Sequence, residues 1–164
     1  MPKQHLKQKP WLTLGLIGCI ALPAHAALGP KFTPLPDDYI LRPLLENQIS
    51  TQNDISQSLD ELEIAYIDLN EDGIDEMMLK EKSCTGQKIC TISILARAPG
   101  KLHSLGKIEG KNVAIAQSYN HGIRDLMVYD DPDNDYKYDL YVWNPQETRY
   151  KLKEDAREKT EKQE

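Results

Sequence analysis

The sequence predicts a mainly β (α+β) domain: a small antiparallel meander sheet or partial barrel of about six or seven short strands, preceded by one short helix. Three observations predict it. Apolar residues recur at a spacing of two, as in Cys90, Ile92 and Ile94 or Tyr136, Tyr138, Leu140 and Val142. Turn residues interrupt the chain at short intervals, at Asn70–Gly73, Pro99-Gly100, Asn120–Gly122 and Asn144-Pro145. Helical periodicity occurs once, near the start, so the strand-helix alternation of a parallel sheet is missing.

Residues 1–26 read as a secretory signal peptide: Lys3, Lys7 and Lys9, then an apolar run from Trp11 to Leu22, then Ala24-His25-Ala26 before Ala27. The run is shorter than the roughly 20 residues a membrane span needs, and no later stretch reaches that length. The expectation is a periplasmic or secreted protein cleaved after Ala26. The alternative is a membrane-anchored lipoprotein, because Leu16-Ile17-Gly18-Cys19 resembles a bacterial lipobox in which Cys19 is acylated. The whole chain carries a formal charge of −6, and removing residues 1–26 takes away three lysines and no acid, leaving 17 basic against 26 acidic side chains, or −9. This excess disfavours nucleic acid, whose phosphates need a basic face, and suits a cation or a basic protein partner.

The remaining 138 residues suffice for one domain. Residues 27–36 form an extended lead-in with three prolines, and residues 37–152 the domain. Asp37 or Asp38 can cap a helix running through Leu45, with Ile40, Leu41, Leu44 and Leu45 on one stripe; Pro43 counts against it by removing a donor. Strands then follow from Ile64 to Ile67, across Met77-Met78-Leu79, from Cys90 to the stop at Ala98-Pro99-Gly100, from Leu102 to Ile108, across Val113 to Ala116, and from Ile123 to Tyr129. In the Cys90 strand Thr91 and Ser93 lie on the face opposite Cys90, Ile92 and Ile94, and Gly122 supplies a positive φ to the turn before Ile123. Two last strands lie around Tyr136–Val142 and Thr148–Leu152, and residues 153–164 make a charged tail. Cys84 and Cys90 are a nearby pair in an exported chain and are expected to form a disulfide.

One segment specifies a chemistry. In Asp68-Leu69-Asn70-Glu71-Asp72-Gly73-Ile74-Asp75-Glu76, oxygen-bearing side chains stand at positions 1, 3, 5 and 9, with glycine at the sixth, where the backbone must turn sharply. Asp68, Asn70, Asp72 and Glu76 together with the Ile74 carbonyl offer about five oxygens, and water would complete the six to eight that Ca2+ accepts. Position 12 is Leu79 rather than the bidentate Glu of an EF-hand, and strands flank the loop, so the expectation is a strand-loop-strand Ca2+ site with affinity on the order of micromolar or weaker. The simpler reading is a tight Asn/Asp/Gly turn with solvated carboxylates. A second acidic group, Asp130, Asp131, Asp133 and Asp135, contains Pro132 instead of a glycine, so it cannot make the same loop; it reads as a solvated hairpin tip, with a weak second ion or a surface for a basic partner as the alternatives.

The Asp68–Glu76 segment resembles the Asp-Leu-Asn-Gly-Asp-Gly-x-x-Glu loop of FG-GAP and VCBS-type repeats, with Glu71 standing where those repeats usually have glycine. Three signatures in order, this loop, the Cys84 to Cys90 loop and Gly122-Ile123-Arg124-Asp125-Leu126-Met127-Val128, resemble a group of small exported bacterial proteins over residues 62–152. The resemblance implies a calcium-loop β domain of the cell envelope, with the ion structural, and supplies no activity.

No Gly-x-Ser-x-Gly elbow, His-Glu-x-x-His pair or phosphate-binding glycine loop occurs, and His121 beside Gly122 reads as a turn residue. The expected function is therefore non-enzymatic binding of another envelope protein, as an inhibitor or immunity-type protein against a basic hydrolase or toxin. The rival readings are a cell-wall hydrolase and a purely structural envelope protein.

Overall fold

The computed structural model describes residues 29–52, 58–131 and 137–153. The proposed signal peptide, Cys19, Asp133, Asp135, Tyr136 and the tail beyond Lys153 lie outside them. The architecture is mainly β, with two antiparallel sheets and one helix. Strands β1 (Thr33–Pro34), β2 (Leu62–Ile67), β3 (Glu76–Glu81), β4 (Cys90–Ala98) and β5 (Lys101–Gly110) form the first sheet in sequence order. Strands β6 (Asn112–Asn120), β7 (Ile123–Tyr129), β8 (Asp139–Asn144) and β9 (Arg149–Leu152) form the second. Every pairing joins sequential neighbours, so the meander order holds, but as two sheets rather than one sheet or a closed barrel.

The strand left unassigned by the sequence reading is β1, in the proline-rich lead-in. It pairs Thr33 with Ile64 and Pro34 with Glu63 at the edge of the sheet, where a proline's missing N–H costs no ladder bond.

Helix α1 spans Leu41–Gln52, starting later and running further than the expected stretch. Asp38 caps it, its Oδ1 accepting from the backbone N–H of Ile40 (2.8 Å) and Leu41 (3.0 Å). Arg42 N already donates to the Asp38 carbonyl at 3.0 Å, so Pro43, the next residue, costs the helix one first-turn bond, which the cap and the packing of Leu41 and Leu45 outweigh. The continuation past Leu45 comes from tertiary contact: Gln48 is buried and Ile49 partly so, extending the stripe of Leu41 and Leu45 at i+7 and i+8.

The first sheet is covered on both faces. On one face Leu62, Ile64, Met77, Leu79, Leu95 and Leu102 pack with Leu41 and Leu45 of the helix. On the other, Ala65, Met78, Ile92, Ile94 and Ile108 pack against Val113, Leu126, Val128 and Tyr150 of the second sheet. Adjacent residues of β3 thus enter different cores, which is why Met77-Met78-Leu79 is uninterruptedly apolar. Ser93 lies on the face opposite Ile92 and Ile94, as alternation expects, and is 5 % exposed because it pairs with Leu79 on the helix-covered side.

Turn chemistry sets the hairpins. Between β4 and β5, Pro99 and Gly100 (φ 72°) occupy the central positions of a two-residue turn, the pattern of type II. Between β6 and β7, His121 (φ 52°) and Gly122 (φ 81°) are both left-handed, as a type I′ turn requires. The expected positive φ of Gly122 is present, and His121 shares it. A disulfide joins Cys84 and Cys90 across the β3–β4 connection; closing so short a loop contributes about 2 kcal/mol.

Gly110, at the exit of β5, marks the corner where the chain passes from one sheet to the other. A Cβ there would stand 2.2 Å from Val128 Cγ1, inside the core between the sheets. Gly110→Ala is expected to destabilise the fold by about 1–3 kcal/mol through overpacking. Gly86→Ala, where no atom lies within 4 Å of the new methyl, should be close to neutral. Urea unfolding of the two variants checks the contrast.

Candidate cation loop between the sheets

Strand β2 ends at Ile67 and β3 begins at Glu76, and these two residues are cross-strand partners. The segment between them is therefore a closed loop flanked by strands, as expected, and its polar side chains fold back on its own backbone. Asp68 accepts from the N–H of Asp72 (3.2 Å) on Oδ1 and of Gly73 (2.9 Å) on Oδ2. Asn70 Oδ1 also accepts from Asp72 N (3.1 Å), and Asp72 Oδ1 accepts from Ile74 N (2.8 Å). Asn70 Nδ2 donates to Asp72 Oδ2 (2.9 Å). Gly73 turns the chain at φ 84°, a conformation a Cβ would penalise by about 1–2 kcal/mol. The Ile74 side chain is exposed, leaving only its backbone for any role inside the loop.

Glu76 differs from the other oxygen donors. It is 7 % exposed, and its Oε2 accepts from Leu69 N at 2.8 Å. Burial pushes its carboxyl above the usual range; the Leu69 hydrogen bond opposes this, and the charges of Asp72 and Asp68 add to it. Three carboxylates thus repel one another across a loop whose deepest member is already desolvated, an arrangement that a cation would relieve. Each amide bond leaves its carboxylate oxygen a further acceptor site. Even so, among the described residues no group of three or more His, Cys, Asp or Glu side chains is drawn together as a metal-holding cluster. Two of the five expected donors, the Asn70 amide and the Ile74 carbonyl, belong to other chemical types.

A clamp ties this loop to the second sheet. Leu69 is fully buried in the core between the sheets, and its carbonyl accepts from Arg124 N at 2.8 Å. The Glu71 carboxylate accepts from both the Tyr119 hydroxyl and the Arg124 guanidinium, and that guanidinium lies 4.7 Å from the Tyr119 ring centre. The Tyr119 hydrogen bond, then the Arg124 one, hold the Glu71 carboxyl below its ordinary value. Glu71 takes φ 58°, a left-handed conformation that glycine adopts most readily. Nothing local in the sequence marks Glu71 as a clamp residue, because its partners lie 48 and 53 residues away.

Behind the loop lies a second buried polar group. Asp125 is 5 % exposed; Oδ2 accepts from Ser118 Oγ at 2.6 Å, and Oδ1 has no partner among the described residues. The Tyr150 hydroxyl donates to the Arg124 carbonyl at 2.8 Å. Burial, with the charges of Glu76 and Asp125, pushes that phenol far up. Of the second acidic cluster, Asp130 and Asp131 are exposed just after β7. The aromatic residues divide as alternation implies: Tyr141 and Trp143 pack against the core between the sheets, whereas Tyr138 is exposed and meets Tyr129 ring to ring at 5.8 Å.

No protein-family model matches the chain, and no curated protein or solved structure is significantly similar to it.

The raised Glu76 carboxyl has a definite pH signature in metal-free protein. Protonated Glu76 is favoured by the fold, so its contribution is fully present below the unfolded pKa near 4.5 and is lost as pH rises through the higher folded value. Metal-free wild type minus metal-free Glu76→Gln should therefore fall in stability from mild acid to neutrality. Melting temperatures of the two proteins across pH 4–8, taken as a difference so that other groups cancel, check this; a flat difference contradicts it.

Proposed function

We propose that this chain is a non-catalytic binding protein of the periplasm or extracellular space whose β2–β3 loop holds one structural Ca2+. Asp68, Asn70, Asp72, Glu76 and the Ile74 carbonyl are its ligands. The observation that carries this reading is the buried Glu76 carboxylate, fixed by Leu69 N and facing the charges of Asp68 and Asp72. All five donors are oxygens, which suits a hard cation, and five protein oxygens completed by water suit the six to eight ligands of Ca2+ better than the tight, largely hydrated octahedron of Mg2+. Bound there, the ion would supply the positive charge the loop lacks. The chain's own residues do the rest. Gly73 makes the bend, Glu76 anchors the exit strand, and Glu71 with Arg124 and Tyr119 holds the loop against the second sheet.

An exported location is supported by the Cys84–Cys90 bond and by the lysine-rich apolar start of the chain; among the described residues no helix is long and apolar enough to cross a membrane. The partner we propose is a basic envelope hydrolase or toxin, which this protein would block as an inhibitor or immunity-type protein. The support is the acidic excess of the chain and the exposed Asp130 and Asp131, since complementary charge speeds and orients encounter.

Calcium at a hundred times its Kd is expected to stabilise the protein by about 2.7 kcal/mol, and Asp72→Ala should abolish this response while leaving the metal-free protein folded. Calorimetric titration with Ca2+ and thermal melts with and without chelator measure it. Capture from periplasmic extract, followed by an activity assay of whatever basic enzyme is recovered, tests the partner. If the pure protein itself degrades wall fragments, the non-catalytic reading fails.

A further inference from the structure

Strands β5 and β9 each end a sheet, and they come together at one place. A Cβ on Gly106 would stand 3.3 Å from the backbone N and 3.4 Å from the backbone O of Tyr150. Gly106 has φ 119° and follows the irregularity in the β4–β5 register at Ile94/Leu95, so β5 bends where it meets β9. No ladder joins the two strands among the described residues. Around this contact the seam opens into a cleft of about 560 Å3, lined by Ser104, Gly106, Lys107, Glu147, Arg149 and Lys151 among others. That volume is within the range of ligand sites.

The charge of the cleft is opposite to that of the chain. Three cations and one acid line it, in a protein of net charge −6. Glu147 pairs with both Arg149 and Lys151, which leaves the group with a positive excess. The two basic side chains of β9 flank the buried Tyr150 and stay exposed at 56 % and 44 %. Being two apart on a strand, their Cα atoms are separated by about 7 Å and they project to the same face.

From this geometry we propose that the β5–β9 seam binds an extended acidic peptide segment, with carboxylates at alternate positions matching the Arg149 and Lys151 interval. Strand edges recognise extended backbone by main-chain hydrogen bonds, and specificity comes from alternate side chains. Arg149 and Lys151 both end on the Glu147 carboxylate, so the point where they converge is already occupied by an anion; Lys107 stands on the other strand, and a partner reaching all three must be extended, which makes a single inorganic anion the weaker fit. The inference is independent of the calcium reading, which concerns the opposite charge on a different loop.

The test uses two fluorophore-labelled peptides of one composition, Gly-Thr-Glu-Thr-Glu-Thr-Glu-Gly and Gly-Thr-Thr-Thr-Glu-Glu-Glu-Gly, titrated with the full protein and followed by anisotropy. The alternating peptide is expected to bind at least tenfold more tightly than the blocked one. Arg149→Gln with Lys151→Gln should weaken it at least tenfold. Lys101→Gln, an exposed change at the far end of β5 and outside the cleft, should have no effect. Amide spectra of each variant verify the fold and should place the shifts caused by the peptide on β5 and β9. Equal binding of the two peptides, unchanged affinity in the double variant, displacement by millimolar inorganic phosphate alone, or no binding overturns the proposal.

Discussion

The rest of this structure depends on the burial of one sheet on both faces. Strands β2, β3 and β4 must present apolar side chains alternately to α1 and to the second sheet, and this obligation explains most departures from simple alternation. It makes Met77-Met78-Leu79 of β3 an unbroken apolar run, buries Ser93 under the helix layer and draws Gln48 inward to lengthen α1. It also fixes register, since a slip of one residue in β3 would exchange the contents of two cores at once. At roughly 25 cal/mol per Å2 of apolar surface removed from water, such two-sided burial is the main favourable contribution a domain of this size can gather.

The Asp68–Glu76 loop sits where this constraint meets polar chemistry. It leaves the sheet at Ile67 and re-enters at Glu76, and Leu69 inserts between the sheets while its neighbours stay hydrated. Leu69 is therefore the structural anchor that lets Glu76 be buried, because its N–H is the donor that Glu76 accepts. The same residue's carbonyl receives Arg124 N. One apolar side chain thus aligns its two backbone groups toward opposite elements. Glu71 adds a polar fastening at the outer rim, in exchange for a left-handed backbone. Loop shape and sheet-to-sheet contact are consequently one problem, so the cation proposed for this loop would act on the structure of the whole domain.

Charge is distributed unevenly over the molecule. Acidic groups gather at the β2–β3 loop and after β7, whereas the β5–β9 seam carries Lys107, Arg149 and Lys151. An acidic protein with a local basic cleft can meet partners of either sign on different faces, and salt would weaken both encounters.

Local chemistry was legible without coordinates. Period-two apolar residues, the Pro99-Gly100 and His121-Gly122 turns, the Cys84–Cys90 pair and the strand-loop-strand setting of the Asp/Asn/Gly segment are all decided within a few residues, by φ preference, chain reach and side-chain alternation. The tertiary structure alone decided the division into two sheets, the edge strand in the proline-rich lead-in, the end of α1, the Glu71–Arg124–Tyr119 clamp and the cationic seam. Each depends on residues tens of positions apart, whose meeting is selected by burial of the whole domain and leaves no periodic trace along the chain.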